Sequence, residues 1–179
     1  DQRDFLRGLL QAVPLWIAVV SGPEHRFELA NIEQYAIAGQ PGMGVIGKTL
    51  AETYPGIAHE AARAIAKVYR SGRPVHVREH KATMQPGGPE GYWNVDYVPL
   101  LDENGGVERV MLLIRDVTDE VLNRQRIEEL AAQAQQQAGE MDAIFESMIE
   151  AVIVYDESDR PVRANRAARE AYGPALNGR

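Results

Sequence analysis

Few residues in this chain have the type and spacing to do chemistry. The histidines are His25, His59, His76 and His80. On a helix, His76 and His80 would form an i, i+4 metal pair. Their neighbours read as a strand, where four residues span about 13 Å, too far to share an ion. Arg78 and His80, two apart on one face of that strand, are candidates to hold an anionic ligand or else a solvated pair. Cysteine is absent, which excludes disulfides, thiolate-held zinc or iron–sulfur clusters and any cysteine-linked chromophore. No nucleophile elbow, phosphate loop or His-Glu zinc helix is present, so no catalytic residue is assigned and the chain is not expected to be an enzyme by itself. The aromatics Trp93, Tyr97 and Tyr54 remain, able to line a pocket or to fill a core. Asn94 and Asp96 alternate with Trp93 and Tyr97, and transfer cost favours the aromatic set pointing inward. Lys48 reads as surface.

The elements that must position these residues follow from periodicity. Phe5, Leu6, Leu9, Leu10 and Val13 predict a lead helix over 2–12, ended by Pro14. Strands at 15–20 and 26–30 flank the turn residues Ser21-Gly22-Pro23-Glu24. Asn31 is placed as the N-cap of a helix over about 32–38 that carries Tyr35. Gly39, Gly42 and Gly44 then loosen the chain. One or two helical turns are expected between Gly47 and Pro55. A longer helix follows, with Ala58, Ala61, Ala62, Ile65, Val68 and Tyr69 on its apolar face, Arg63, Lys67 and Arg70 toward solvent, and Gly72 with Pro74 at its end. Three strands, Val75–Met84, Tyr92–Leu100 and Val107–Arg115, are joined by hairpin loops at 85–89 and 102–106.

The chain also repeats itself. The stretch from Leu9 through Ala30-Asn31 has a counterpart from Ile144 through Ala164-Asn165, with a turn one residue shorter. This reads as a tandem domain cut off early in its second copy. A first residue other than Met and an end soon after Tyr172 fit a fragment of a larger protein. One hairpin cannot complete a sheet, so residues after Ala151 are expected to be disordered or to pair with a partner's edge.

Residues 5–119 resemble a PAS domain, the sensory fold of many bacterial signalling proteins. The motifs that carry the likeness are Ala30-Asn31, Gly47-Lys48-Thr49-Leu50, Trp93-Asn94-Val95-Asp96-Tyr97-Val98-Pro99-Leu100, Asp102-Glu103-Asn104-Gly105 and Asp116-Val117-Thr118-Asp119-Glu120. Residues 140–173 are similar to the start of a second such domain. The resemblance implies an α+β fold: a five-stranded antiparallel sheet with short helices on one face, often enclosing a ligand, followed by a long helix. The implied ligand contacts are Tyr35, Tyr54, Ile65, Tyr69, Arg78, Trp93, Tyr97 and Leu112, with Asp116 and Thr118 relaying the signal. Haem-binding relatives place an axial histidine on the long helix before the third strand. His59 starts that helix but falls off its apolar face, so haem is not expected and no cofactor is assigned. The implied role is sensory input to an output such as the histidine kinase of a two-component system. The alternative is a ligand-free dimerisation module.

Residues 118–150 are the expected exit for the signal, between a sensor domain at 1–117 and a truncated second domain at 151–179. Ile127, Leu130, Ala134, Gln137, Met141, Ile144, Met148 and Ala151 step by three and four, the seam of a parallel two-helix coil, though a lone helix folded on its own domain also fits. Val117 and Val121 fall out of that register. The expected partners are a second copy, through the lead and linker helices, and a downstream output domain. The formal charge of -7 is concentrated here, with 8 acids and 2 bases against 14 and 12 in residues 1–117, so no basic stripe is left for nucleic acid. No apolar run approaches the roughly 18 to 20 residues of a membrane span, which places the expected site of action in the cytoplasm.

Overall fold

The computed structural model describes residues 15–31, 44–84 and 87–173. The lead helix over 2–12, the helix over 32–38 with Tyr35, the Gly39–Gly42 loop and two residues of the 85–89 loop lie outside the described residues. The chain divides into two units, residues 1–122 and residues 123–179.

In the first unit, strands β1 (Trp16–Ser21), β2 (Arg26–Ala30), β3 (Val75–Thr83), β4 (Glu90–Leu101) and β5 (Val107–Asp116) form one antiparallel sheet in the order β2-β1-β5-β4-β3. Strand β1 lies between β2 and β5 and is buried on both faces from Ile17 to Val20, so it reads as a continuous apolar run rather than an alternation. On the inner face Ala18, Val20, Val95, Tyr97, Val110 and Leu112 meet helices α1 (Leu50–Thr53) and α2 (Ala58–Ser71). Helix α1 opens with a capping box in which Thr49 and Glu52 satisfy each other's backbone N–H. Helix α2 buries Ala61, Ile65 and Val68 at helical spacing and ends at Gly72, whose φ of 62° supplies the left-handed turn a side chain would resist.

Helix α3 (Thr118–Ser147) leaves the sheet without interruption. Val121 in its first turn is buried, and Val117 just before it is 3% exposed. The break in the seam register therefore has a cause, since these valines serve the core of the first unit. The helix stops at Ser147, so Met148 and Ala151 lie past its last turn, and their spacing has no helical meaning.

The second unit corrects one half of a sequence expectation, that of disorder. Residues after Ala151 are ordered into β6 (Ile153–Tyr155), β7 (Pro161–Ala164) and helix α4 (Arg166–Tyr172). Arg163 pairs with Asp142 and sits 4.4 Å over the Phe145 ring, while Arg169 holds Glu146 at 2.7 Å.

The repeat is kept in three dimensions. Ala18 faces Ala30 and Val19 faces Leu29 before a one-residue slip opposes Val20 to Phe27. Ile153, Val154 and Tyr155 face Ala164, Arg163 and Pro161 with the same slip. Each turn holds one left-handed non-glycine residue, His25 at φ 52° and Asp159 at φ 56°. Asn31 accepts the Ile17 N–H at 2.5 Å and donates to the Leu15 carbonyl at 2.8 Å. Asn165 accepts the Val152 N–H at 2.9 Å, donates to the Glu150 carbonyl at 2.8 Å, and caps α4 through the Ala168 N–H at 3.0 Å. One amide ties the start of the first strand to the end of the second, and only an amide offers both donor and acceptor in that space.

Asn31→Ala is expected to remove about 2 kcal/mol and to lower the melting temperature by roughly 10 °C, whereas the exposed Lys48→Ala leaves it unchanged. Differential scanning calorimetry of the two variants checks this.

Candidate functional site

Strand β4 supplies the floor of the site. Its alternation buries Trp93, Val95 and Tyr97 and turns Asn94 and Asp96 outward. Between this floor, β3 and α2 runs a groove of about 320 Å³, with Ile57, Ala61, Val77 and Met84 completing its apolar walls and Glu60, Arg63 and His80 at its rim. That volume lies at the low end of small-molecule sites. Deeper, between sheet and helices, a void of about 20 Å³ touches Trp16, Phe27, Leu50, Tyr54, Leu112 and Ile114, room for roughly one water. Groove and void share Ile57, Ala61, Met84, Val95 and Tyr97. Trp16 and Trp93 stack with ring centres 5.2 Å apart, and Phe27 meets Tyr54 edge-on at 6.2 Å.

The structure corrects the reading of β3. Val77 pairs with Val95 and His80 with Trp93, so Arg78 and Glu79 together oppose Asn94 alone. This is a β-bulge. Glu79 takes φ 49° there, and its N–H donates to Asn94 Oδ1 at 2.8 Å. The extra residue puts Arg78 and His80 on opposite faces. Arg78 turns outward to Asp96 at 2.5 Å, beside His76 at 2.7 Å from the same carboxylate. His80 turns inward to Glu60 at 2.6 Å. No glycine or asparagine marks the bulge, so regular alternation was the natural reading of the sequence.

Of the sequence-based contacts, Tyr54, Trp93, Tyr97 and Leu112 line the groove or the void. Ile65 is fully buried core and lines neither. Tyr69 is half-buried, and its hydroxyl donates to the Glu108 carbonyl at 3.3 Å. Tyr35 lies outside the described residues. His59 is exposed on α2. Sequence reading missed Glu60 and Arg63 as rim residues. Glu60, one turn after Ile57, and Arg63, one turn after Glu60, were the available signal; Arg63 was read as solvent-facing and Glu60 was not singled out, because the sequence does not show the groove.

Ionisation follows the geometry. Burial pushes the hydroxyls of Tyr54 and Tyr97 up to about 12. Burial alone would raise Asp96, but hydrogen bonds from His76 and Arg78 outweigh it and hold its carboxyl below the usual range.

A second constellation joins the sheet to α3. Asp116 accepts the Thr118 N–H at 2.9 Å and the Thr118 hydroxyl at 2.5 Å. Thr118 Oγ1 accepts the Tyr92 N–H at 2.9 Å, and the Val117 N–H donates to the Tyr92 carbonyl at 2.9 Å. Gly91 is required here, because a Cβ would stand 2.8 Å from Thr118 Oγ1. The residue that follows Tyr92 is Trp93 of the groove floor.

The family described as PAS fold matches residues 10–122, and that described as PAS domain matches residues 141–179. The chain belongs to the PAS family. Among similar solved structures, the PAS domain of a protein from Colwellia psychrerythraea has 16% identity and a TM-score of 0.52, over 66% of this chain and 99% of its own. The Vibrio cholera VqmA protein, in a complex with ligand and DNA, has 21% identity and a TM-score of 0.52 over 64% of this chain and 51% of its own. A sensory box sensor histidine kinase from Vibrio cholerae has 23% identity and a TM-score of 0.48, over 65% of this chain and 93% of its own.

Gly91→Ala should break the Thr118 contact and lower unfolding free energy by about 1–3 kcal/mol, and Thr118→Val by about 1–2 kcal/mol through the unpaired Tyr92 N–H; urea titrations measure both. Tyr54 and Tyr97 keep their protons in the fold at pH values where unfolded tyrosine loses them. Their stabilisation is therefore complete below pH about 10 and is lost as pH rises to about 12. Spectrophotometric titration should show two of the seven tyrosines ionising only together with unfolding.

Proposed function

We propose that this chain is a sensory input segment of a signal-transduction protein. A small molecule seated between α2 and the β3–β4 floor biases one arrangement of that wall, and α3 carries the state to an output domain downstream in the same polypeptide, such as a histidine kinase. The observation that carries this reading is the joint at Thr118. The strand that floors the groove with Trp93 is bonded one residue earlier, at Tyr92, to the start of α3. A ligand acts by its differential affinity for two arrangements, and a coupling of about 1–3 kcal/mol suffices for a switch. The VqmA protein, whose structure was solved in a complex with ligand and DNA, is similar to this chain in fold.

Helix α3 supports a dimeric exit. It is rich in good helix formers and carries internal pairs such as Arg126–Glu129 and Gln136–Glu140, yet Ile127, Leu130, Met141 and Ile144 are all about half or more exposed. Apolar residues at that spacing fit a partner helix, a second copy of this chain being the simplest. Asp116 and Thr118 are the relay, and Ile127, Leu130, Ala134, Met141 and Ile144 the seam. The site of action is the cytoplasm. No helix among the described residues is long and apolar enough to cross a membrane.

The near-filled inner void favours a second reading, a dimerisation module that takes no ligand in its core. The groove supports the first reading, being open and sized for a small molecule.

Sedimentation velocity of the full chain should show a dimer at micromolar concentration and a monomer for Ile127→Glu/Leu130→Glu. A wild-type chain that stays monomeric at high micromolar concentration would overturn the dimeric exit.

A further inference from the structure

The bulge in β3 has an electrostatic consequence at the groove. Glu79 sits in the left-handed region at φ 49°, a conformation that a side chain resists, that persists where the surroundings enforce it and that recurs at functional sites. Its effect is to turn His80 inward, where Nε2 meets Glu60 at 2.6 Å. On α2 the natural partner of Glu60 is Arg63, three residues on. With His80 holding the carboxylate, Arg63 has no ion-pair partner among the described residues. Arg26, Arg78, Lys81 and Arg109 each hold a carboxylate instead. The rim therefore presents one uncompensated guanidinium above an apolar, aromatic floor.

Resting on the ligand-sensor reading above, we infer that the groove takes a small organic anion: an apolar, flat body against Trp93, Val95 and Tyr97 and a single acidic group at Arg63. A guanidinium gives such a group a planar, charge-assisted pair of donors. The apolar walls exclude a ligand charged along its length, because each buried charge without a partner is strongly unfavourable. The Glu60–His80 pair acts as a specificity element. It keeps the carboxylate away from Arg63, and it repels a second acidic group placed on the β3 side.

The test uses the full chain and two fluorescent probes with the same ring body, anilinonaphthalene sulfonate as the anion and N-phenylnaphthylamine as its neutral counterpart. Trp16 and Trp93 are the only tryptophans and lie at the void and the groove, so probe emission sensitised by tryptophan reports binding to the first unit, and its dependence on Arg63 locates the probe at the groove. The sulfonate probe should bind more tightly than the neutral one. Arg63→Gln should weaken the sulfonate roughly tenfold and leave the neutral probe unchanged, and Glu60→Gln should tighten the sulfonate. Equal affinity of the two probes, or an Arg63→Gln variant that binds the sulfonate like the wild type, overturns the anion assignment while leaving the groove a binding site. Absence of sensitised emission from both probes overturns the ligand-sensor reading together with it.

Discussion

Strand β4 is bonded along both edges, to β3 on one side and β5 on the other, and this two-sided pairing is the constraint on which the rest of the molecule depends. A strand so held cannot slip, because a one-residue shift would send Trp93, Val95 and Tyr97 to solvent and bury Asn94 and Asp96. Fixed register makes one face of β4 the floor of the groove and gives the other face Asp96 as an anchor for Arg78 and His76. It also sets Tyr92 opposite the start of α3. The floor of the site and the exit from it are consecutive residues of one rigid element.

The walls are less constrained than the floor. Helix α2 is held by Ala61, Ile65 and Val68 on one face, and near the groove mouth by the exposed Glu60–His80 pair. Exposed pairs are worth little in stability, so the wall near the mouth can shift at small cost, and it bears on a floor strand that keeps its register and is bonded to the start of α3. That asymmetry is what a sensor needs, since a ligand changes an equilibrium only where two arrangements lie close in free energy. The strain at Glu79 belongs to the same design. Asn94 stabilises the bulge by accepting the Glu79 N–H, and the bulge decides which of the two side chains, Arg78 or His80, reaches the groove.

The two hairpins show how much structure one polar residue can specify. Asn31 and Asn165 tie strand starts to strand ends with the same pair of backbone bonds, and around them the register slip and the left-handed turn residue recur. Around the second hairpin Arg163 and Arg169 reach back to Asp142 and Glu146.

Much of the architecture was legible in the residues. Period-two and period-3.6 patterns located β1 to β5 and α2, the glycine after Ser71 ended α2, the repeated Ala-Asn marked both hairpins, and the alternation along β4 chose Trp93 and Tyr97 over Asn94 and Asp96. Those features are local, set by backbone preference and by the transfer of single side chains from water. Tertiary structure alone decided the bulge at Arg78-Glu79, the rim made by Glu60 and Arg63, the end of α3 at Ser147, the role of Val117 and Val121 in the first unit, and the order of residues 153–172. Several of these rest on contacts that form only once the chain has closed on itself, such as Asn94 for Glu79, Glu60 for His80 and Asn165 for the carbonyl of Glu150, and no periodicity along the chain encodes them.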